Sequence, residues 1–114
     1  IGQIRLIQKR YTDAEKSFRA ALGRPDADSQ LVARIHYGLA LCLHHRGDAA
    51  KAILEFDQAI AHMPGVPEFH FWRGTARRAA HDEENAQIDF AHAADLAAAT
   101  NPQLAAQARA LIHR

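Results

Sequence analysis

The sequence is poor in the residues that mark several specialised classes of protein. Its 114 residues include 1 cysteine, 1 tryptophan, 6 glycines and 4 prolines. The single cysteine, Cys42, excludes an internal disulfide and leaves the redox compartment undetermined. Basic and acidic residues number 14 and 13, and the formal charge of +1 gives no electrostatic reason to expect a nucleic-acid partner.

Long apolar runs are also lacking. No segment approaches the roughly 20 apolar residues that a transmembrane helix needs, and no signal peptide is recognisable. We therefore expect no membrane partner, while the compartment stays undetermined, with the cytoplasm as the default. The chain starts at Ile1, part-way through a helical pattern, which suggests a fragment of a longer protein.

What the sequence does contain is an internal repeat. The pattern A-x-x-x-F-x-x-A occurs three times, and the second and third copies lie 34 residues apart. The first copy lies 38 residues before the second, and the four extra residues fall in the loop-like stretch 23–28. The copies are Ala14, Phe18 and Ala21; Ala52, Phe56 and Ala59; and Ala86, Phe90 and Ala93.

Each copy follows an earlier half-unit, so the repeat reads as helix, turn, helix. Residues 36–46 correspond to 70–80, and the small residues Ala40 and Gly74 are in register. Close helix approach explains these small residues and the alanines that open the pattern. Asp48, Asp82 and Asn101 (before Pro102) are good N-caps, Gly47 and His81 occupy turns, and 64–67 breaks the chain. The predicted helices are 1–9, 12–23, 29–46, 48–62, 67–80, 82–99 and 102–113, with no strand.

These residues resemble the tetratricopeptide repeat, whose 34-residue unit reads W-x-x-L-G-x-x-Y and then A-x-x-x-F-x-x-A. The resemblance implies one all-α domain over 1–114, a right-handed solenoid of antiparallel helix pairs. Its units would be about 1–28 (truncated), 33–66 and 67–100, followed by a capping helix over 102–113. The matching residues are Gly2, Tyr11, Ala14, Phe18 and Ala21; Leu39, Ala40, Gly47, Ala52, Phe56, Ala59 and Pro64; and Gly74, Ala86, Phe90 and Ala93.

The sequence departs from this pattern at several positions. His36 and His70 stand where the family has tryptophan, and Arg73 and Arg77 stand at the leucine and tyrosine positions of the third unit. We interpret Arg73, Arg77 and the nearby Arg78 as solvated or snorkelling side chains. Contact with an acidic partner is the alternative.

In this family the first helices of successive units line a concave groove that binds peptides or helices. The resemblance therefore implies another protein or peptide as partner. Phe71 and Trp72 are adjacent, so at least one of them could be core instead, and Tyr37 could be either. The predicted groove residues are Arg34, Tyr37, Leu41, His45, Glu68, Phe71, Trp72, Thr75 and Arg78.

One subclass of the family is excluded by the residues present. Tetratricopeptide domains that grip a C-terminal carboxylate use a clamp of Lys, Asn and Arg. The matching positions here are Gln3, Gly38, Glu68 and Trp72, and Glu68 would repel a carboxylate.

The chemistry-bearing residues form no recognisable catalytic or metal site. The 8 histidines include no H-E-x-x-H motif. His44 and His45 should lie on different faces of one helix, and His36 and His70 could approach each other across units. Cys42 lies mid-helix and reads as a small buried side chain. We expect no catalytic residues, no metal and no cofactor, and hence no enzyme activity in this chain.

The sequence favours a protein-interaction scaffold and leaves two alternatives open. The domain could be an accessory or regulatory module of a larger enzyme, such as a peptidase or glycosyltransferase. It could also self-associate into a homo-oligomer through the exposed apolar end formed by Ile1, Ile4 and Leu6.

Overall fold

All regular secondary structure in the described part of the chain is helical. The computed structural model describes residues 12–14, 16–17, 19–20 and 28–112. The described residues before 21 are helical, and no strand occurs in these ranges. Five complete helices follow: α1 (Ser29–His45), α2 (Ala49–His62), α3 (Pro67–Ala79), α4 (Glu83–Ala97) and α5 (Pro102–Leu111).

The predicted all-α solenoid is confirmed. Each helix packs against its neighbour in sequence, α1 on α2, α2 on α3, α3 on α4 and α4 on α5, and α1 also touches α3. The chain therefore builds a stack of helix pairs that ends, among the described helices, with α5. The predicted helix 1–9 lies outside the described residues. Among the described helices, none combines the length and apolar character that crossing a membrane requires.

Short polar side chains begin four of the helices. Each accepts a hydrogen bond from a backbone N–H in the first turn, which satisfies one of the orphan donors there. The prediction of caps at Asp48, Asp82 and Asn101 is confirmed, whereas α3 begins at Pro67 without a side-chain cap on Val66. The bonds join Asp28 to Leu31 N (2.7 Å), Asp48 to Lys51 N (3.3 Å), Asp82 to Asn85 N (3.4 Å) and Asn101 to Leu104 N (3.2 Å).

The turns within both complete units share one geometry. Gly47 and His81 adopt positive φ angles of 89° and 66°. The next residue then donates its N–H back into the preceding helix, from Asp48 to the Leu43 carbonyl at 2.9 Å in the first of these turns. Asp82 makes the equivalent 2.8 Å bond in the second. Each turn is a Schellman motif in which one aspartate closes a helix and caps the next.

The small residues lie where helices approach most closely, as predicted. Ala40, Ala52 and Ala86 have no exposed surface. A Cβ atom added to Gly74 would lie 2.9 Å from Cε1 of Phe90, closer than carbon atoms normally approach. Only glycine at this position lets α3 settle on α4.

Candidate binding groove

An open pocket of about 470 Å³ lies where α1, the loop 63–66 and the start of α3 meet. Four apolar or aromatic side chains form most of its lining, with one basic and one acidic side chain among them. The apolar part suits a hydrophobic side chain, and the two charges can pair with polar groups beside it. The lining residues are Arg34, Tyr37, Met63, Val66, Glu68 and Phe69.

Tyr37 joins this pocket to the core. Its ring centroid lies 4.8 Å from that of Phe69 and 6.1 Å from that of Phe56. Burial, together with the neighbouring Glu68 carboxylate, raises the pKa of Tyr37 to about 12. The phenol therefore stays neutral over the physiological range and keeps its hydroxyl as a hydrogen-bond donor.

An aromatic cluster continues along α1 and α3 beyond the pocket. The Trp72 ring lies edge-on to His44 and His45, with centroids 6.0 and 6.1 Å away. Trp72, Tyr37 and Leu41 pack on the same buried cluster, so the structure brings these three predicted groove residues together. Burial is the main cause that lowers the pKa of His44, and the adjacent His45 lowers it further. Both effects favour the neutral form of the ring.

His44 and His45, predicted to lie on different faces of one helix, both reach the same aromatic ring of α3. Their ring centroids are 5.4 Å apart, and both rings contact Trp72. Adjacent positions on a helix differ by about 100°, so two long side chains can straddle a ring placed between them. Sequence spacing alone did not show that α3 would supply that ring.

Phe71 and Thr75, which were predicted to line the groove, make more contacts inside the molecule than that role implied. The Phe71 ring lies 5.8 Å from Phe90, and it packs on buried residues of α4 and α5. The Thr75 hydroxyl donates to the Phe71 carbonyl at 3.1 Å. Both residues are partly exposed, yet their main contacts lie within the molecule.

Arg78 forms hydrogen bonds with residues near the ends of α4 and α5. Its guanidinium donates to both carboxylate oxygens of Glu83, at 2.8 and 2.6 Å, and to the Leu111 carbonyl at 2.7 Å. The same group stands 4.9 Å from the centroid of the Phe90 ring. Hydrogen bonds from Arg78 and Gln87 lower the pKa of Glu83 to about 2. Arg78 thus ties α5 to α3 and α4.

The interpretation of Arg73 and Arg77 as solvated side chains is wrong. Asp89 of α4 is fully buried and accepts hydrogen bonds from Arg73 Nη2 and Arg77 Nη1, each at 2.8 Å. Arg73 also donates to Asp57 of α2 at 2.8 Å. Burial alone would lower the pKa of Arg73, but the hydrogen bonds and charges of Asp89 and Asp57 outweigh it and raise that pKa.

The role of Asp89 was not predicted from the sequence. Arg73 and Arg77 occupy inward-facing positions of the repeat, so their charges need a buried counter-ion. The available signal was an aspartate directly before Phe90, beside the apolar stripe of α4. An ionic cluster of Asp57, Arg73, Arg77 and Asp89, in which Asp89 is fully buried and the others are partly exposed, replaces the expected apolar contact.

The histidines pair with one another in ways that differ from the expected approach of His36 and His70. His36 stacks on His62, with centroids 6.1 Å apart, and bonds the Glu55 carboxylate at 2.7 Å. His70 lies edge-on to His92 at 5.6 Å. Within the described ranges, no group of three or more His, Cys, Asp or Glu residues is arranged to hold a metal ion.

Two further predictions concern Cys42 and the N-terminus. Cys42 is buried with 6% exposure, as its mid-helix position indicated. Ile1, Ile4 and Leu6, on which the self-association hypothesis depends, lie outside the described residues, as does Gln3.

Comparisons with known proteins agree with this architecture. A family model described as "Tetratricopeptide repeat" matches residues 1–67. No curated protein matches the sequence.

Solved structures with a similar fold cover more of the chain than the family model does. The chain is similar to PcrH of Pseudomonas aeruginosa in complex with the chaperone binding region of PopB, at 26% identity and a TM-score of 0.81, covering 97% of this chain and 86% of PcrH. PcrH in complex with the chaperone binding region of PopD gives 27% identity and a TM-score of 0.80, with coverages of 91% and 77%. The Yersinia enterocolitica type III secretion translocator chaperone SycD, in an alternative dimer, shares the fold at 22% identity, a TM-score of 0.80 and coverages of 91% and 77%.

Proposed function

The chain belongs to the tetratricopeptide repeat family, and on that premise we propose that it is a binding scaffold for an extended segment of a partner polypeptide. The segment lies along α1 and α3 and places one apolar side chain in the pocket beside the loop 63–66. This role is non-catalytic: the domain recognises a chain and holds it.

The observation that carries this proposal is the open, mainly apolar pocket. Most ligand sites are concave and apolar with a few polar groups that fix orientation, and this pocket has that composition. Its aromatic lining also fits, because tyrosine is among the residues that contribute most to binding energy at protein interfaces.

The similar structures add independent support. PcrH, which resembles this chain over 97% of its length, is in complex with the chaperone binding region of PopB. We extend from that similarity only the class of ligand, a segment of another polypeptide.

Val66 offers a way to block the pocket without unfolding the protein. It is the N-cap of α3, has extended backbone angles (φ −92°, ψ 112°) and makes no side-chain cap bond. Aspartate and threonine both suit that position. In Val66→Asp, the new N-cap hydrogen bond offsets the loss of the apolar valine contact, so the helix should stay folded. The same substitution puts a carboxylate into the pocket. Val66→Thr is the matched control, because it keeps the shape of valine.

The test selects peptides from a phage-displayed random library on the wild-type protein and measures their affinity by fluorescence anisotropy. We expect selected peptides to carry an apolar residue, to bind Val66→Asp at least about tenfold more weakly, a loss of roughly 1.4 kcal/mol, and to bind Val66→Thr nearly as the wild type does. Leu54→Asp, at a 63% exposed position outside the pocket, should also bind normally. Selection of no peptide, or equal binding by Val66→Asp, would contradict the proposal.

A further inference from the structure

The loop 63–66 forms one wall of the pocket, yet few backbone hydrogen bonds hold it in place. Met63 and Val66 line the pocket, whereas Pro64 and Gly65 between them are exposed. The backbone bonds lie at the two ends: Met63 N–H donates to the Ala59 carbonyl at 2.9 Å, and the Val66 carbonyl accepts from Phe69 N–H at 3.2 Å. Pro64 has no N–H to contribute. The middle of the loop therefore depends on a contact from elsewhere in the fold.

His70 supplies that contact. Its Nε2 lies 2.9 Å from the Pro64 carbonyl oxygen. Because a carbonyl only accepts, Nε2 carries the hydrogen and donates it. His70 is 7% exposed, and its Nδ1 is buried without a hydrogen-bond partner. The ring thus fits this site as a neutral imidazole in a single tautomer.

The surroundings of His70 oppose its protonation on balance. Burial is the largest cause that lowers its pKa; the bond to Pro64 opposes the shift, and Arg73 and His92 add to it. Asp89 favours the charged form, but it is already bonded to Arg73 and Arg77. From α2, Asp57 pairs with Arg73.

We propose that His70 is a positioning residue for the pocket: its neutral imidazole holds the loop 63–66, and hence the Met63 and Val66 side chains, in the conformation that receives the partner's side chain. This inference rests on the proposed function and adds its regulation by pH.

The direction of the pH effect follows from the burial of His70. A histidine whose pKa is lowered by folding contributes stability that is complete above the ordinary value of about 6.5 and is lost as the pH falls below it. When the ring is protonated it favours water over its buried site, and the loop loses its anchor. Peptide binding should therefore weaken below about pH 6.5.

The first measurement reads the loop without any ligand. Met63 is the only methionine in the chain, so ¹³C-methyl labelling of methionine gives one NMR signal, from the pocket wall. His70→Gln keeps a donor near Nε2 and cannot titrate, whereas His70→Leu keeps bulk without a donor. His92→Gln is the control, because it changes the ring beside His70 and leaves the Pro64 bond in place.

We expect the Met63 signal of His70→Leu to be displaced at pH 7.5, while those of His70→Gln and His92→Gln match the wild type. On acidification to pH 5 the signal should move in the wild type and in His92→Gln but stay in place in His70→Gln. An unchanged signal in His70→Leu, or the same acid shift in His70→Gln as in the wild type, would overturn the inference.

The second measurement is the affinity of a phage-selected peptide. His70→Leu should bind at least about tenfold more weakly, and His70→Gln should restore binding at pH 7.5 and lose part of the acid dependence. Equal weakening by both variants would show a merely structural role. If His70→Leu does not fold, the pH profiles of the wild type and His70→Gln decide the matter. If no peptide binds the wild type, the proposed function fails, and the Met63 signal still tests the positioning of the loop.

Discussion

At the scale of single residues, Asp89 is the buried acceptor on which two arginines of α3 converge. It has no exposed surface, and its carboxylate accepts hydrogen bonds from both Arg73 and Arg77. A buried charge is tolerated only when it is paired and bonded, so the aspartate and the two arginines depend on one another.

Removing Asp89 alone should therefore be costly. Asp89→Leu leaves two partly buried guanidinium groups without their shared counter-ion, and we expect a loss of about 3 kcal/mol in the free energy of unfolding. The triple change Asp89→Leu, Arg73→Leu and Arg77→Tyr replaces the cluster with the apolar residues of the family pattern and should recover most of that loss. Urea unfolding followed by circular dichroism compares the two. A triple variant less stable than Asp89→Leu would contradict this account.

At the scale of helices and turns, the most informative comparison is between the two Schellman motifs. Gly47 and His81 hold equivalent positions with positive φ, which glycine adopts freely and histidine does not. A Cβ at Gly47 would meet nothing within 4 Å, so any cost of a side chain there comes from the backbone alone.

These two turns predict opposite changes in stability. His81→Gly should relieve the strain and raise the free energy of unfolding by about 0.5–1 kcal/mol, whereas Gly47→Ala should lower it by about 1 kcal/mol. For a domain of this size each change corresponds to a few degrees in Tm, which a thermal melt can resolve. If His81→Gly melted below the wild type, the histidine ring would be shown to contribute more than its backbone costs.

Local features of this kind were predictable from the sequence. The caps at Asp48, Asp82 and Asn101 and the turn at Gly47 depend on residues within one or two turns of helix, so their patterns are visible in the chain itself. The cluster around Asp89 and the edge-on contacts of Trp72 join residues on different helices. Their geometry depends on how α3 meets α1 and α4, which no spacing along one helix specifies.

At the scale of the whole molecule, the solenoid is a row of helices in which each contacts mainly its neighbours. The last helix, α5, covers α4 with Leu104, Ala105 and Ala108, which are 8% exposed or less. Arg78 and Gln87 both donate to the Leu111 carbonyl at its C-terminal end. In such arrays the terminal helix shields an apolar face that would otherwise meet water.

Deleting residues 101–114 should test this role. The change exposes Phe71, Ala93 and Ala97, and we expect the free energy of unfolding to fall by at least about 3 kcal/mol from the lost apolar burial. The exposed face should also promote association, which light scattering detects as a rise in mass with concentration. The matched substitution Leu104→Ala keeps the helix and should cost about 2–4 kcal/mol. A truncated chain that melts as the wild type does would contradict the assignment of α5 as a cap.

Asp48 and Asp82 each bond to two helices, and this constrains where the chain can gain or lose residues. Each aspartate closes one helix and opens the next, so an inserted residue at that turn would break both bonds at once. The four extra residues of the first repeat fall between units instead, within 23–28. Insertions and deletions should therefore be tolerated at that joint, whereas the joint 63–66 is constrained by the bond between His70 and Pro64. Such changes alter the spacing of the units while leaving each helix pair intact.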